Sequence, residues 1–274
     1  DLRESKDGTK KYLFRLLDGK FIEAVAIPAE GRVTGCISSQ VGCKFACSFC
    51  VSGKTGFQRN LTSGEMIEEA VYLKHRSSAK NLTHVVFMGS GEPLDNYDNV
   101  LKAIRMMNAK SGLNIGARRI TISTSGLIPQ IQRLAAEGMQ IELSVSLHAA
   151  DDRIRSMLMP VNKKYPLKDL IAACRQYRMK TNRQVTFEYV LIRGVNSSLA
   201  DAQKLGTILR GFDCKVNLIP LNAQADQGLK PPQKNEIASF KNSLLKNNIH
   251  VTVRQARGED IEAACGQLRA RHMQ

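Results

Sequence analysis

From about residue 33 onward the chain repeats one pattern, a short β-branched run followed by a stretch long enough for a helix. The runs are VTGCISS (33–39), LTHVVFMG (82–89), RITISTSG (119–126), IELSVSLHA (141–149), VTFEYVLI (185–192), KVNLIPLN (215–222) and HVTVRQAR (250–257). Between the first two, LTSGEMIEEAVYLKH carries a capping box from Thr62 to Glu65, then Met66, Ile67, Ala70, Val71 and Leu73 on one face. PLKDLIAACRQYR and KNEIASFKNSLLK have similar periods, and Cys174 in the first of them reads as core. Strand–helix alternation of this kind calls for a parallel sheet with right-handed crossovers. Six or seven units are too few for a closed eightfold barrel. The expected fold class is therefore α/β, a partial (β/α)6 TIM-like barrel, with a doubly wound sheet as the alternative.

In either architecture, function gathers at the carboxyl ends of the strands. Those ends are polar or glycine-rich here: Cys43 to Cys50, GSGEPLDN, STSG, SLHA, LIPLN and RGED. The preceding segment, KYLFRLLDGKFIEAVAIP, alternates around Asp18-Gly19, a hairpin signal. Residues 1–32 are accordingly expected to form a short N-terminal β extension carrying Glu23, and residues 33–274 the core. The chain opens at Asp1 rather than Met, so a processed or partial sequence is expected.

Forty basic residues against twenty-five acidic ones give a net charge of +15, which favours a polyanionic partner, nucleic acid above all. Basic pairs recur along the chain (Lys10-Lys11, Arg118-Arg119, Lys163-Lys164), which suits a folded cationic face better than a basic tail. The absence of tryptophan and an aromatic content of 5% argue against a base-stacking platform. No long apolar run or signal peptide is legible, so a protein of the cytosol or an organelle matrix, without membrane attachment, is expected.

Seven cysteines in a chain of this size suggest metal or thiol chemistry rather than a disulfide scaffold. Cys43, Cys47 and Cys50 lie in GCKFACSFC with C-x3-C-x2-C spacing. A zinc site would want a second local pair of Cys or His, and His84 and His148 are isolated. Thiolates at such short spacing hold iron–sulfur clusters, and three ligands leave one iron of a four-iron cluster open to a small chelating molecule. The pattern, with Phe49 just before Cys50, is similar to that of the radical S-adenosylmethionine (SAM) enzymes. In that family SAM's amino and carboxylate groups take the open iron, and one electron cleaves SAM to a 5′-deoxyadenosyl radical.

A narrower resemblance follows from CISSQVGC, NLTSGE, GEPLDN, TISTSG, SLHA, LMPVNKKYPL, TFEYVLIRGVN, NLIPLN and RGEDIEAACGQL, in that order from about residue 12 to residue 268. Together they resemble the RlmN-like RNA adenine methyltransferases. The resemblance implies a radical SAM barrel that makes 2-methyladenosine in large-subunit ribosomal RNA and in transfer RNA. The sister Cfr group, acting on carbon-8 of the ribosomal adenosine, shares most of these motifs and remains the alternative. Taken alone, Cys36 and Cys265 would read as buried structural thiols. The resemblance instead makes Cys265 the methyl-accepting cysteine, Cys36 its partner in releasing the product, and Glu23 the proton acceptor. It also implies one [4Fe-4S] cluster on Cys43, Cys47 and Cys50, and two SAM molecules per turnover. SAM contacts are implied for Gly91, Glu92, Ser123, Ser146, Leu147, His148 and Asn222. An external electron donor and a thiol reductant complete the expected partners of a cytoplasmic monomer.

Two departures from the family pattern stand out. Ser90 replaces the usual second methionine in Met88-Gly89-Ser90-Gly91, and the family's N-terminal helical domain is not in this sequence. Gly89-x-Gly91 resembles half a dinucleotide fingerprint, but no third glycine follows and no helix is expected to open there. Arg118, Arg119, Arg254 and Arg257 lie at strand boundaries as candidate phosphate contacts.

Overall fold

The structure, a computed structural model, describes residues 1–76, 82–222 and 228–268. The chain forms two compact units. Unit 1 comprises residues 1–46, 50–123 and 257 onward; unit 2 comprises residues 47–49 and 124–256.

Unit 1 begins with an antiparallel meander of β1 (Leu2–Glu4), β2 (Lys10–Arg15), β3 (Phe21–Ala29) and β4 (Arg32–Cys36). The β2–β3 turn is the one the Asp18-Gly19 pair predicts. Gly19 takes φ +80°, a region open to glycine at no steric cost, and its N–H closes on the Leu16 carbonyl at 2.9 Å. A separate small hairpin, β5 (Gln40–Val41) with β6 (Arg59–Asn60), closes the cysteine loop. β4 then pairs in parallel with β7 (His84–Phe87), and β7 with β8 (Ile120–Thr124). Helices α1 (Val51–Lys54), α2 (Ser63–Arg76) and α3 (Tyr97–Asn108) accompany these strands. The capping box starts α2 as expected: Glu65 N–H donates to Thr62 Oγ1 at 3.2 Å, and Thr62 N–H to Glu65 Oε2 at 2.8 Å. Met66, Ala70 and Leu73 on its inner face are fully buried, as are Val85, Val100 and Ile104 of β7 and α3.

The GEP segment corrects one expectation. A helix does open there: Pro93–Asn96 form a 3-10 turn that runs straight into α3. Glu92 caps that turn, accepting from Leu94 N–H at 3.0 Å. Proline at the first position of a turn stabilises a helical start, but in the sequence it reads as a breaker.

Unit 2 contains α4 (Ile128–Ala136), β9 (Glu142–Ser146), α5 (Asp152–Leu158), α6 (Leu167–Thr181), β10 (Val185–Leu191), α7 (Leu199–Ile208), β11 (Cys214–Pro220), α8 (Lys234–Lys246) and β12 (His250–Val253). β9, β10, β11 and β12 are parallel neighbours in that order. Alternation along β10 sets its two faces. Phe187 and Tyr189 pack on aromatic neighbours, Phe212 and Phe240, at 5.7 and 5.1 Å between ring centres. The other face carries Thr186 and Glu188. Register places Ser146, Glu188, Asn217 and Thr252 side by side across the four strands, a polar row on a sheet whose other face is apolar.

All seven predicted runs contain strands, but most strands stop short of their runs. The run at 33–39 ends as strand at Cys36, that at 119–126 at Thr124, and that at 250–257 at Val253. The residues just past these strand ends are the polar and glycine-rich ones, freed from the ladder.

Candidate active site

The cysteine loop is shaped by backbone that only small residues tolerate. Gly42 has φ +74°, and a Cβ there would stand 1.7 Å from the Gly56 carbonyl oxygen, so no side chain fits. Cys43, Cys47 and Cys50 are half-buried free thiols. The N–H of Phe45 hydrogen-bonds the Cys43 sulfur, and those of Gly53 and Ser52 the Cys50 sulfur. Burial pushes the Cys43 thiol up to about 12, with Cys50, Glu92 and Asp95 adding negative charge. Burial also raises Cys50, and Cys265 adds to it. Burial thus favours the protonated thiol at both positions. Three cysteine thiols, two of them receiving N–H donors, are the donor set of iron–sulfur ligation. Among the described residues no three Cys, His, Asp or Glu side chains converge on one point as they would on a single ion. Cysteine thiols at this spacing are the ligand type of an iron–sulfur cluster, in which each would bind a separate iron.

Behind Cys47 lies a buried cation. Arg155 of α5 is fully buried (0% exposed). It donates to the carbonyls of Ser125 at 2.8 Å, Ser146 at 3.0 Å and Leu147 at 3.1 Å, and to Asn162 Oδ1 at 2.8 Å. One guanidinium thus gathers the chain just past β8 and β9. The same helix holds the cysteine loop, since Ser48 N–H donates to the Leu158 carbonyl at 2.9 Å. His148 sits in this network with φ +57°. Its Nδ1 accepts from Val190 N–H at 3.0 Å, and its ring meets Phe49 edge-on at 4.7 Å. Burial, helped by the Arg155 charge, lowers His148 to about 3, so the ring is neutral at physiological pH.

The GEP segment lies against the stretch that follows Cys36, residues 37–40. A Cβ on Gly89 would meet the Ile37 carbonyl at 2.6 Å, and one on Gly91 the Gln40 side chain at 2.6 Å. Gly91 also has φ +105°. Ser90 is buried: its N–H donates to Ser38 Oγ at 3.0 Å, and its hydroxyl lies 3.3 Å from Ser52 Oγ. Glu92 is buried, with its N–H held by Gln40 Oε1 at 2.9 Å. Ser123, like Gly91 and Glu92, belongs to unit 1 and is half-buried. Ser146, Leu147, His148 and Asn222 belong to unit 2, with Leu147 and His148 buried.

Unit 1 also contains the three residues expected to act outside the cluster, Cys36, Cys265 and Glu23. Cys36, at the end of β4, is buried in an apolar cluster with Val25, Ile261, Ala263 and Leu268. The last three belong to the segment that carries Cys265, whose thiol is exposed. Glu23 projects from β3, 4% exposed, with Lys11 Nζ 3.1 Å away. Arg254 follows β12 directly and faces Glu188 at 3.9 Å. Arg257 faces Asp7 at 3.9 Å, so part of its charge is spent within the fold. Sequence reasoning missed Lys11, Arg155 and Ser52. Lys11 and Arg155 are charged and read as parts of solvated faces, and Ser52 carries no mark of its own; only their contacts in the fold reveal otherwise. No helix among the described residues is long and apolar enough to cross a membrane.

Residues 37–204 match the model of the radical SAM superfamily. A solved radical SAM methyltransferase from Sphaerobacter thermophilus superposes with a TM-score of 0.97 at 49% identity, over 99% of this chain and 80% of that one. Among curated relatives, the "probable dual-specificity RNA methyltransferase RlmN" of Alkaliphilus oremlandii is 48% identical over 100% of this chain and 79% of its own length. The protein of the same description from Thermotoga neapolitana is 49% identical over 96% of this chain and 76% of its own. The chain belongs to the radical SAM superfamily and, within it, to the RlmN family of RNA methyltransferases. It is therefore an enzyme of SAM-dependent RNA methylation, with the α/β fold and parallel strands of radical SAM proteins. The family implies a [4Fe-4S] cluster and SAM as its cofactors.

Proposed function

We propose that this enzyme methylates carbon-2 of adenosine in large-subunit ribosomal RNA and in transfer RNA, carrying the methyl on Cys265. The observation that carries the reading is the meeting of two cysteine-bearing elements: Cys36 shares one apolar cluster with the segment around Cys265. A chain that only bound RNA would need neither thiol there. Cys43, Cys47 and Cys50 would hold the cluster, and Gly91, Glu92, Ser123, Ser146, Leu147, His148 and Asn222 would contact SAM. Bound together, cluster and SAM supply a one-electron cleavage that yields a 5′-deoxyadenosyl radical.

The chain's own residues do the rest. An adenine C–H carbon is a poor nucleophile, whereas the Cys265 thiolate takes an electrophilic methyl readily. Hydrogen abstraction from the S-methyl group lets its carbon add to the adenine ring, joining protein and RNA. The adduct would then lose its ring proton to Glu23 and one electron, which the cluster that gave one at the start could take back. The Cys36 thiolate attacks the Cys265 sulfur, and the sulfur–carbon bond breaks. The departing carbon takes a proton as the new methyl group, and a Cys36–Cys265 disulfide remains for an external thiol to reduce. The deciding experiment is nucleoside mass spectrometry of RNA from cells lacking their own enzyme, with and without this chain. 2-Methyladenosine is expected; 8-methyladenosine in its place would move the assignment to the Cfr-type reaction.

A further inference from the structure

A buried ammonium links the proposed proton acceptor to the proposed methyl carrier. Lys11 in β2 is 6% exposed. Its Nζ lies 3.1 Å from Glu23 Oε1 and donates to the Glu262 carbonyl at 3.2 Å. The register explains the first contact. Lys11 pairs with Val25 and Leu13 with Glu23, so Lys11 and Glu23 are diagonal neighbours on one face of β2–β3. The second contact depends on a turn: Glu262 adopts φ +54°, a left-handed conformation uncommon for a side-chain-bearing residue. Cys265 follows three residues later.

The same segment is anchored to the N-terminal extension at further points. Ser5 Oγ donates to Asp260 at 2.6 Å, and Lys6 N–H to the same carboxylate at 3.3 Å. Gly258 N–H donates to Asp7 at 3.1 Å. Gly258 has φ +63°, and a Cβ there would meet Ala263 and Thr9 at 2.8 and 2.9 Å. Beyond Cys265, Val51 N–H donates to the Gly266 carbonyl at 2.8 Å and Ser52 Oγ to that of Leu268 at 2.9 Å. The segment is thus held on both sides of Cys265, and of these anchors Lys11 also touches Glu23.

We propose that Lys11 is a positioning residue that fixes Glu23 and the Cys265-bearing segment on a single ammonium. The inference rests on the roles given above to Glu23 and Cys265. A buried ammonium must keep its carboxylate partner, and its remaining protons need acceptors, so the two contacts are satisfied together. Glu23 and Glu262 therefore keep a fixed separation, and the proton acceptor stays in reach of the carbon carried by Cys265.

The test uses holoenzyme as wild type, K11M, K11Q, E23Q and K11M/E23Q. The readouts are the methyl on Cys265, decay of the protein–RNA adduct, and hydrogen–deuterium exchange of residues 258–266 without RNA. K11M is expected to speed exchange in 258–266 and to slow adduct decay about tenfold or more, within the range of a lost general base. Adding K11M to E23Q should slow decay by less than about twofold further, because Lys11 acts through Glu23. K11Q keeps a donor for the Glu262 carbonyl and loses the charge. It should retain slow exchange yet show the slowed decay, and it serves if K11M does not fold. Unchanged exchange in K11M overturns the proposal, as does an equal slowing by K11M with and without Glu23. Wild-type decay in E23Q would instead remove Glu23 from the reaction, and a bare Cys265 thiol in wild type would remove the methyl carrier. The exchange readout judges the tether in either case.

Discussion

Cys265 is exposed and Cys36 is buried beneath the segment that carries it, an asymmetry that suits a thiol receiving groups from outside and one that acts once. Replacing Cys265 by Ala should abolish turnover. Replacing Cys36 by Ala should leave protein and RNA covalently joined, visible as a mass-shifted band; free methylated RNA from that variant would contradict its releasing role. Glu69 makes a different prediction. Burial raises its carboxyl well above the usual range, one oxygen accepts from Ser38 N–H at 3.0 Å, and the other has no partner among the described residues. Burial thus favours its protonated, neutral form. Glu69→Gln should therefore change stability by less than about 1 kcal/mol, whereas Glu69→Leu, which orphans the Ser38 N–H, should cost about 1–3 kcal/mol. Thermal melts giving equal losses for both would mean that the acid is ionised. The spacing of Cys43, Cys47 and Cys50 marked their loop as a candidate site, whereas Cys36 and Cys265 were marked only by the family resemblance. Lys11 and Glu69 were not, because a lone charge carries no mark of burial.

The elements that build the site differ in how openly the sequence declares them. β10 and β11 were evident from long β-branched runs, and α2 from its capping box. α3 was hidden by Pro93, and the cysteine loop's closing hairpin, β5 with β6, is two residues per strand, too short to show a period. The attachment of the 257–268 segment to the N-terminal extension could not be read at all, since it is made between residues far apart in the chain. It has a measurable signature at Asp7. Desolvation works against that carboxylate, but hydrogen bonds from Thr9, Gly258 and Ser5 prevail and bring it from 3.8 to about 2. A lowered carboxyl pKa stabilises the fold above the unfolded value and stops doing so as pH falls through the folded one. The difference in melting temperature between wild type and Asp7→Asn should thus be steady above about pH 4 and vanish toward pH 2. A difference independent of pH across that window would show that the charge is not what holds Gly258.

For the whole molecule, the charge of +15 is the dominant long-range property. RNA affinity should fall linearly on logarithmic axes with salt, with a slope steeper than about −2 if three or more phosphates are neutralised on single-stranded RNA. A flat salt profile in a filter-binding titration would mean that the surplus lysines and arginines only keep the protein soluble. Charge was readable from composition. Its placement was not, for Arg257 faces Asp7 and Arg155 is sealed inside.

The attachment between the two ends of the described chain also fixes a timetable. Ser5 and Asp260 are 255 positions apart, and Lys11 and Glu262 are 251. Unit 2 is built almost wholly from residues 124–256, whereas unit 1 needs both the opening residues and those from 257 onward. A nascent chain leaving the ribosome can complete unit 2 while Lys11 still waits for its carbonyl. Cys265, the proposed methyl carrier, is consequently among the last groups to find its place, and a chain stalled before residue 257 would own a Cys43–Cys50 loop without it.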